Sequence, residues 1–183
     1  VNKATIFDGV PTMYMFMLNS QNLKNADLSS LKRCYVGGQT MPVATMTEVE
    51  KEFKVPLIEL WGMTEIAGLG ATFPLFGPNK HGSIGCAIPY CDLKIVDVDD
   101  CSKQMNVGEV GELMVKGPIT MMGYFGDDKK TQEALEPDGW LHSGDLAKMD
   151  KDGCVYIVDR KKDMIITGGY NVYPAEIERV LAA

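Results

Sequence analysis

Four segments in the first sixty residues alternate in period, and that alternation restricts the fold more than any other feature of the chain. Residues 10–19 carry apolar side chains at helical spacing behind Pro11, a residue suited to a first helical turn. Residues 27–32 then lead into a short apolar run, Cys34-Tyr35-Val36, which stops at Gly37-Gly38. Residues 43–53 return to helical spacing behind Pro42, and residues 55–61 form a second apolar run of strand length. Helix, strand, helix, strand is the order of a mostly parallel sheet with crossover helices, whose ligands sit on loops beyond the carboxyl ends of the strands. Beyond Gly82 the pattern changes. Alternating runs at 91–98, 111–115 and 153–158 are separated by Gly, Pro and Asp turns, which predicts antiparallel strands. Residues 162–183 add one more apolar run, a Gly-Gly break and a helix from near Pro174. The expected fold class is α/β plus antiparallel β. It divides into an α/β segment over 1–80, an antiparallel β subdomain over 81–160, and the start of another domain over 161–183. The chain opens within a predicted amphipathic helix and stops with a helical pattern still running, so it reads as a fragment.

Composition narrows the function classes. With 18 Lys and Arg against 25 Asp and Glu, the net charge is -7, a field that repels a phosphate backbone and excludes nucleic acid as a main partner. Five cysteines, Cys34, Cys86, Cys91, Cys101 and Cys154, form no CxxC pair, and the only histidines are His81 and His142. Neither a disulfide framework nor a zinc site is expected, and the expected compartment is a reducing cytoplasm. The longest apolar stretch, residues 10–18, is too short for a transmembrane segment and follows Asp8 without a basic lead. No P-loop motif of the GxxxxGKS or GxxxxGKT type occurs, nor does GxGxxG or GxSxG, which argues against a P-loop NTPase, a Rossmann cofactor site and a hydrolase elbow. Asp150-Lys151-Asp152-Gly153 reads as a β-turn, because it lacks the spaced carboxylates of a calcium loop.

Four short stretches carry side chains able to do chemistry, and each has a plain structural alternative. Gly37-Gly38-Gln39 lets the main chain approach a flat ligand, or is a tight turn. Trp61-Gly62-Met63-Thr64-Glu65 sets an aromatic face, a hydroxyl and a carboxylate close together after a strand. Trp61 can wall a base, Thr64 can donate to a phosphate oxygen, and Glu65 can hold Mg2+, which takes one or two carboxylates with waters and substrate phosphates. The alternative makes Trp61 a core residue and Thr64 the N-cap of a helix. His142-Ser143-Gly144-Asp145, expected just ahead of a strand, offers a carboxylate for both hydroxyls of a ribose, or a turn aspartate. Asp159-Arg160-Lys161-Lys162-Asp163 reads as a solvated turn in which Arg160, with five donors in a fixed fork, suits sugar hydroxyls or a phosphate.

Taken in order, VGGQTMP at 36–42, LWGMTE at 60–65, DGWLHSGDLA at 138–147 and VDRKKDMIITGGYNVYPAEIE at 158–178 resemble the motifs of the adenylate-forming superfamily. That superfamily comprises acyl-CoA synthetases, peptide-synthetase adenylation domains and beetle luciferases. GSIGCAIP, GEVGELMVKGP and MMGYFGD support the likeness, which covers nearly the whole chain. The stretch GGYNVYPAEIE is most similar to acid-CoA ligases.

The resemblance implies part of a large N-terminal domain, a mixed α/β sheet followed by a distorted β-barrel subdomain, and then a hinge and the start of a small α+β domain over 161–183. It implies ATP (leaving as AMP), Mg2+, coenzyme A and a small-molecule carboxylic acid, with a fatty acid as the leading substrate. By the same likeness Gly37, Gly38 and Gln39 would border the adenine and acyl pocket. Trp61 would flank adenine where a tyrosine is more usual, with Gly62 and Met63 beside it. Thr64 would touch the α-phosphate, Glu65 would help hold Mg2+, Asp145 would bind the ribose and Arg160 would contact it. Lys162 matches the hinge position, and Gly168, Gly169 and Tyr170 would lie by the pantetheine channel. Gly68 and Leu69 would help set the depth of the acyl pocket. The superfamily's phosphate loop and C-terminal lysine have no match in these residues, so the chain alone is expected to be inactive, and Lys161 and Lys162 are not that lysine. A carrier-protein loading domain and a non-catalytic nucleotide-binding module stand as alternatives.

Overall fold

A computed structural model describes residues 3–167 and 170–181. The first half is built as the alternation requires. Strands β1 (Ile6–Gly9), β2 (Arg33–Gly37) and β3 (Leu57–Trp61) pair in parallel, with helices α1 (Pro11–Leu18) and α2 (Val43–Phe53) as the crossovers. One face of α2 presents Met46, Val49 and Phe53 to Tyr14, Cys34, Val36 and Leu57, and all seven are buried. The Tyr14 hydroxyl donates to the Tyr35 carbonyl at 2.6 Å, which fixes α1 against β2.

Two expectations need correction here. The described chain opens in a strand, not within a helix: Ile6 to Gly9 pair with Arg33 to Val36, and this tertiary pairing decides a segment too short to show a period of its own. The sheet is also less parallel than expected. β4 (Ala71–Thr72) and β5 (Cys86–Ala87) add antiparallel at the β3 edge, giving the order β1-β2-β3-β4-β5. Strands of two residues leave no pattern to read.

The second half is a four-stranded antiparallel sheet, β6 (Asp92–Val96), β7 (Gly111–Lys116), β8 (Leu141–Met149) and β9 (Val155–Arg160), with a short helix, α3 (Asp128–Ala134), between β7 and β8. The expected turn at 150–153 joins β8 to β9, its Asp150 Oδ1 accepting from the Asp152 and Cys154 amides. Trp61, Ile66, Ala71 and Ile84 from the first half and Leu113, Val115, Leu141 and Val155 from the second bury one another in a shared core, so the two sheets meet along a packed seam. After a turn at Lys161–Asp163 come a small hairpin, β10 (Ile165–Thr167) and β11 (Tyr170–Val172), and helix α4 (Pro174–Leu181). Among the described residues no helix is long and apolar enough to cross a membrane.

Candidate active site

Asp145 owes its position to an irregularity in the β7–β8 ladder. Glu112 pairs with Leu146 and Met114 with His142, so Ser143, Gly144 and Asp145 together oppose the single residue Leu113. Extra residues of this kind bend a strand and re-aim its side chains. The bulge is internally satisfied, because the Ser143 hydroxyl donates to the Leu113 carbonyl at 2.6 Å and accepts from the Asp145 amide at 3.0 Å. The His-Ser-Gly-Asp stretch therefore lies inside β8 rather than ahead of a strand, and its polar bulge explains why no strand was expected there.

Asp145 is 6% exposed, and its side chain is held from two sides. Trp61 Nε1, at the end of β3, donates to Oδ2 at 2.8 Å, and Arg160, at the end of β9, donates through Nη1 to Oδ1. The bond to Asp145 pushes the Arg160 guanidinium above its ordinary pKa. Trp61 is thus both a core residue and a hydrogen-bond donor that fixes the carboxylate.

The loop after β3 folds back on itself so closely that Gly62 admits no side chain: a Cβ there would meet the Gly68 carbonyl oxygen at 1.4 Å. The amides of Gly68 and Gly70 donate to the carbonyls of Met63 and Trp61. Thr64 opens a one-turn helix whose cap position falls on Met63, so Thr64 is not an N-cap. Glu65 is secured through both its main chain and its side chain. The Met121 amide donates to its carbonyl at 2.8 Å, and the Tyr124 hydroxyl donates to Oε1 at 2.9 Å, which raises the Tyr124 pKa.

The carboxyl ends of β2, β3 and β9 and the bulge of β8 line a cavity of about 520 Å³. Of the residues singled out in the sequence, Gly38, Gln39, Trp61, Gly62, Met63, Asp145 and Arg160 line it. Gly37 lines an adjoining hollow of about 640 Å³ that shares Gly38, Trp61 and Gly62 with the first and reaches Gly68, Leu69, Val10 and Met13. Gly38, at φ +81°, takes the left-handed backbone that lets the chain turn between the two. Thr64 and Glu65 lie on the turn just beyond and line neither space. Lys162 is exposed on the 161–163 turn, and Tyr170 is exposed on β11. Gly168 and Gly169 lie outside the described residues.

Three contributors were not singled out. Glu59, inside the apolar run of β3, lines the cavity, and burial pushes its carboxyl up to about 7; a lone charge in a buried strand was its signal. Asp159 is 8% exposed and accepts from the Ala175 amide at 3.0 Å, tying the start of α4 to β9. Tyr124, from the MMGYFGD stretch, holds Glu65. Lys161 is paired rather than free in solvent, since its Nζ reaches Glu112 at 2.8 Å and the Val98 carbonyl at 3.2 Å. Burial alone would raise the Glu112 carboxyl, but the bonds from His142 and Lys161 outweigh it and hold the group below its ordinary pKa.

The mixed sheet brings an aromatic wall and a glycine-lined approach to the carboxyl ends of its parallel strands, and the antiparallel sheet sets against them a bulge-borne carboxylate and a strand-end guanidinium, a crevice with the form of a small-molecule binding site. The sequence profile of AMP-binding enzymes matches residues 1–125, and the chain belongs to that family. It is 41% identical over 180 residues to a long-chain-fatty-acid-CoA ligase of Bacillus subtilis, covering 98% of this chain and 32% of that protein. It is 44% identical over 180 residues to the Salmonella typhimurium protein of the same name, covering 97% of this chain and 31% of that one. The structure superposes on ATP-bound MatB from Rhodopseudomonas palustris with a TM-score of 0.91 at 34% identity, over 98% of this chain and 35% of that chain. The chain spans about a third of the length of the curated relatives it matches.

Proposed function

We propose that this chain supplies the adenylate pocket of an ATP-dependent acid-CoA ligase acting on a fatty acid. In that reaction a carboxylate oxygen attacks the α-phosphorus of ATP and pyrophosphate leaves; the coenzyme A thiol then attacks the acyl carbonyl and AMP leaves. The names of the relatives support free coenzyme A as the acceptor. The observation that carries the reading is the Asp145 carboxylate, fixed by Trp61 and Arg160 at the wall of the 520 Å³ cavity. Each carboxylate oxygen has a second lone pair, so Asp145 can accept from a vicinal diol while keeping both protein donors.

On this reading adenine lies against Trp61 and the Gly38-Gln39 main chain, Asp145 and Arg160 hold the ribose, and Thr64 donates to the α-phosphate. The adjoining hollow, lined by Val10, Met13, Leu60 and Leu69, suits an apolar acyl chain. Glu65 offers a single half-buried carboxylate, which fits Mg2+ because that ion takes few protein ligands and completes its shell with water and phosphate. When bound, Mg2+ supplies charge neutralisation at the phosphates. Lys162 serves as the hinge, Tyr170 borders the thiol's path, and residues 1–80, 81–160 and 161–183 form the three structural divisions. The cytoplasm is the working compartment.

Calorimetric titration with a non-hydrolysable acyl-adenylate analogue tests the reading. Asp145→Asn and Asp145→Ala should each weaken binding by about 1.5 to 3 kcal/mol, the range for hydrogen bonds to a charged group, in chains that keep the parent's circular dichroism. Parent-like affinity in both variants would sink the assignment of the ribose to Asp145.

A further inference from the structure

Cys86 and Cys154 stand 68 residues apart in sequence, yet their sulfur atoms lie 3.7 Å from each other. Their approach is fixed by backbone pairing. Gly85 and Val155 form an antiparallel bridge between the end of the first sheet and the start of β9, which makes Cys86 and Cys154 the next opposed pair. The register is pinned by the Val155 amide on the Gly85 carbonyl at 2.9 Å, and by the Ile84 amide (2.9 Å) and Ser83 hydroxyl (2.8 Å) on the Val155 carbonyl. Opposed residues of an antiparallel pair have Cα atoms roughly 4.5 to 5.5 Å apart, inside the roughly 4.4 to 6.8 Å that a disulfide spans.

The surroundings favour the same conclusion. Lys80 clasps the preceding turn through Asp150 at 2.6 Å and Asp152 at 2.8 Å, so Cys154 cannot drift from its partner without breaking both ion pairs. Gly85 is wedged against Thr72, where an added Cβ would lie 2.3 Å from the backbone, so Cys86 is equally confined. Cys154 is 5% exposed within a small apolar cluster with Ile58 and Phe73, whereas Cys86 is only partly buried and open to a small oxidant.

We propose that Cys86 and Cys154 form an oxidative modification site, at which a peroxide converts the two thiols into a disulfide that staples the five-stranded sheet to the β8–β9 hairpin. The Cys86 sulfur attacks the peroxide oxygen, giving a sulfenic acid and one water. The Cys154 sulfur then forms the S–S bond and the sulfenic oxygen leaves as a second water, carrying the Cys154 thiol proton. Two thiols lose two electrons and hydrogen peroxide accepts them. The cross-link spans the seam beside the cavity, whose lining includes Ile84 from one partner segment and Ile157 from the other. This inference rests on the backbone pairing alone and does not depend on the proposed ligase activity.

The test uses the chain carrying Cys101→Ser, because Cys101 is exposed and would otherwise join two molecules. It is treated with hydrogen peroxide, blocked with N-ethylmaleimide, and digested without reductant for mass spectrometry. The expected product is one intramolecular peptide pair joining Cys86 to Cys154, two hydrogens lighter than the reduced pair. A disulfide closing a loop of this length should raise the Tm by roughly 5 to 15 °C. Dithiothreitol should reverse the rise, and Cys86→Ser and Cys154→Ser should each abolish it, with Cys154→Ser starting from a lower reduced Tm because its hydroxyl enters an apolar cluster. Sulfinic acid at Cys86 with Cys154 still alkylatable in the unfolded digest, or a Tm rise that survives either serine variant, would overturn the proposal.

Discussion

Replacing Glu59 by glutamine should make the protein more stable at alkaline pH, although it removes a charged side chain from a cavity wall. Glu59 is 6% exposed within β3, and burial pushes its carboxyl up from 4.5 to about 7, with the Gly82 amide, 3.0 Å from Oε2, pulling the other way. Between pH 4.5 and about 7 the folded chain therefore keeps a proton that the unfolded chain has released. Raising the pH through that window costs stability, and above it the loss is complete. At about 1.36 kcal/mol per pH unit, the interval from 4.5 to about 7 amounts to about 3 kcal/mol. Glutamine keeps an oxygen to accept from Gly82 and has no ionisation to suppress. The expected result in urea unfolding is near-equality of Glu59→Gln and parent at pH 4.5 and an advantage of about 3 kcal/mol for the variant at pH 8. A variant that tracks the parent at both values, or is weaker at pH 8, would show that Glu59 ionises inside the fold at no cost and would refute the argument.

Two further substitutions probe the frame of the site. Gly62→Ala should cost more than about 2 kcal/mol in urea unfolding and loosen the 62–68 loop, since the new Cβ would fall 1.4 Å from the Gly68 carbonyl oxygen, which is backbone and cannot rotate away. Glu112→Gln should cost about 2 kcal/mol at pH 6, because Glu112 is 3% exposed and accepts from both Lys161 and His142. Glu112 raises the His142 pKa above 6.5, so that pair's contribution is complete below 6.5 and disappears as the pH rises through the raised value. The difference between variant and parent should accordingly shrink by pH 9, and an equal or larger gap there would contradict the pairing.

How far the sequence revealed the molecule depends on how each element is stabilised. Helix α2 and strand β2 announce themselves because their own side chains carry the period that packing uses, and β3 by its unbroken apolar run; α1 is apolar on every side and buries only Pro11 and Tyr14, so its start at Pro11, rather than a period, marks it. β1, β4 and β5 are two to four residues long and exist through their partners, so no pattern within them could have shown more. α3, with the sequence DKKTQEA, has no apolar stripe at all; its start is fixed by Asp127, which accepts from the Lys130 amide at 3.0 Å. Of the motif residues, Gly38, Gln39, Trp61, Asp145 and Arg160 converge on one cavity. What stayed hidden was the means of holding them. The Trp61–Asp145 bond crosses 84 residues, and the bulge that aims Asp145 is a mismatch between two strands.

Those holding contacts also explain why the pocket can be ready before a ligand arrives. Asp145 is oriented by donors from two different strand ends, so the cost of fixing its rotamer is met during folding and not at binding. The same strand end faces two ways. Arg160 reaches back to Asp145, while its neighbour Asp159 accepts from the Arg160 amide at 2.7 Å and from the Ala175 amide of α4 at 3.0 Å. Two adjacent residues of β9 thus join the Asp145 carboxylate to the first turn of the last helix. Any rotation of α4 away from β9 must release the Ala175–Asp159 bond, and with it the local support of the backbone that carries Arg160. A rearrangement of the C-terminal segment would therefore register at the cavity, because the Ala175–Asp159 bond is one of the contacts that tie α4 to the strand end carrying Arg160.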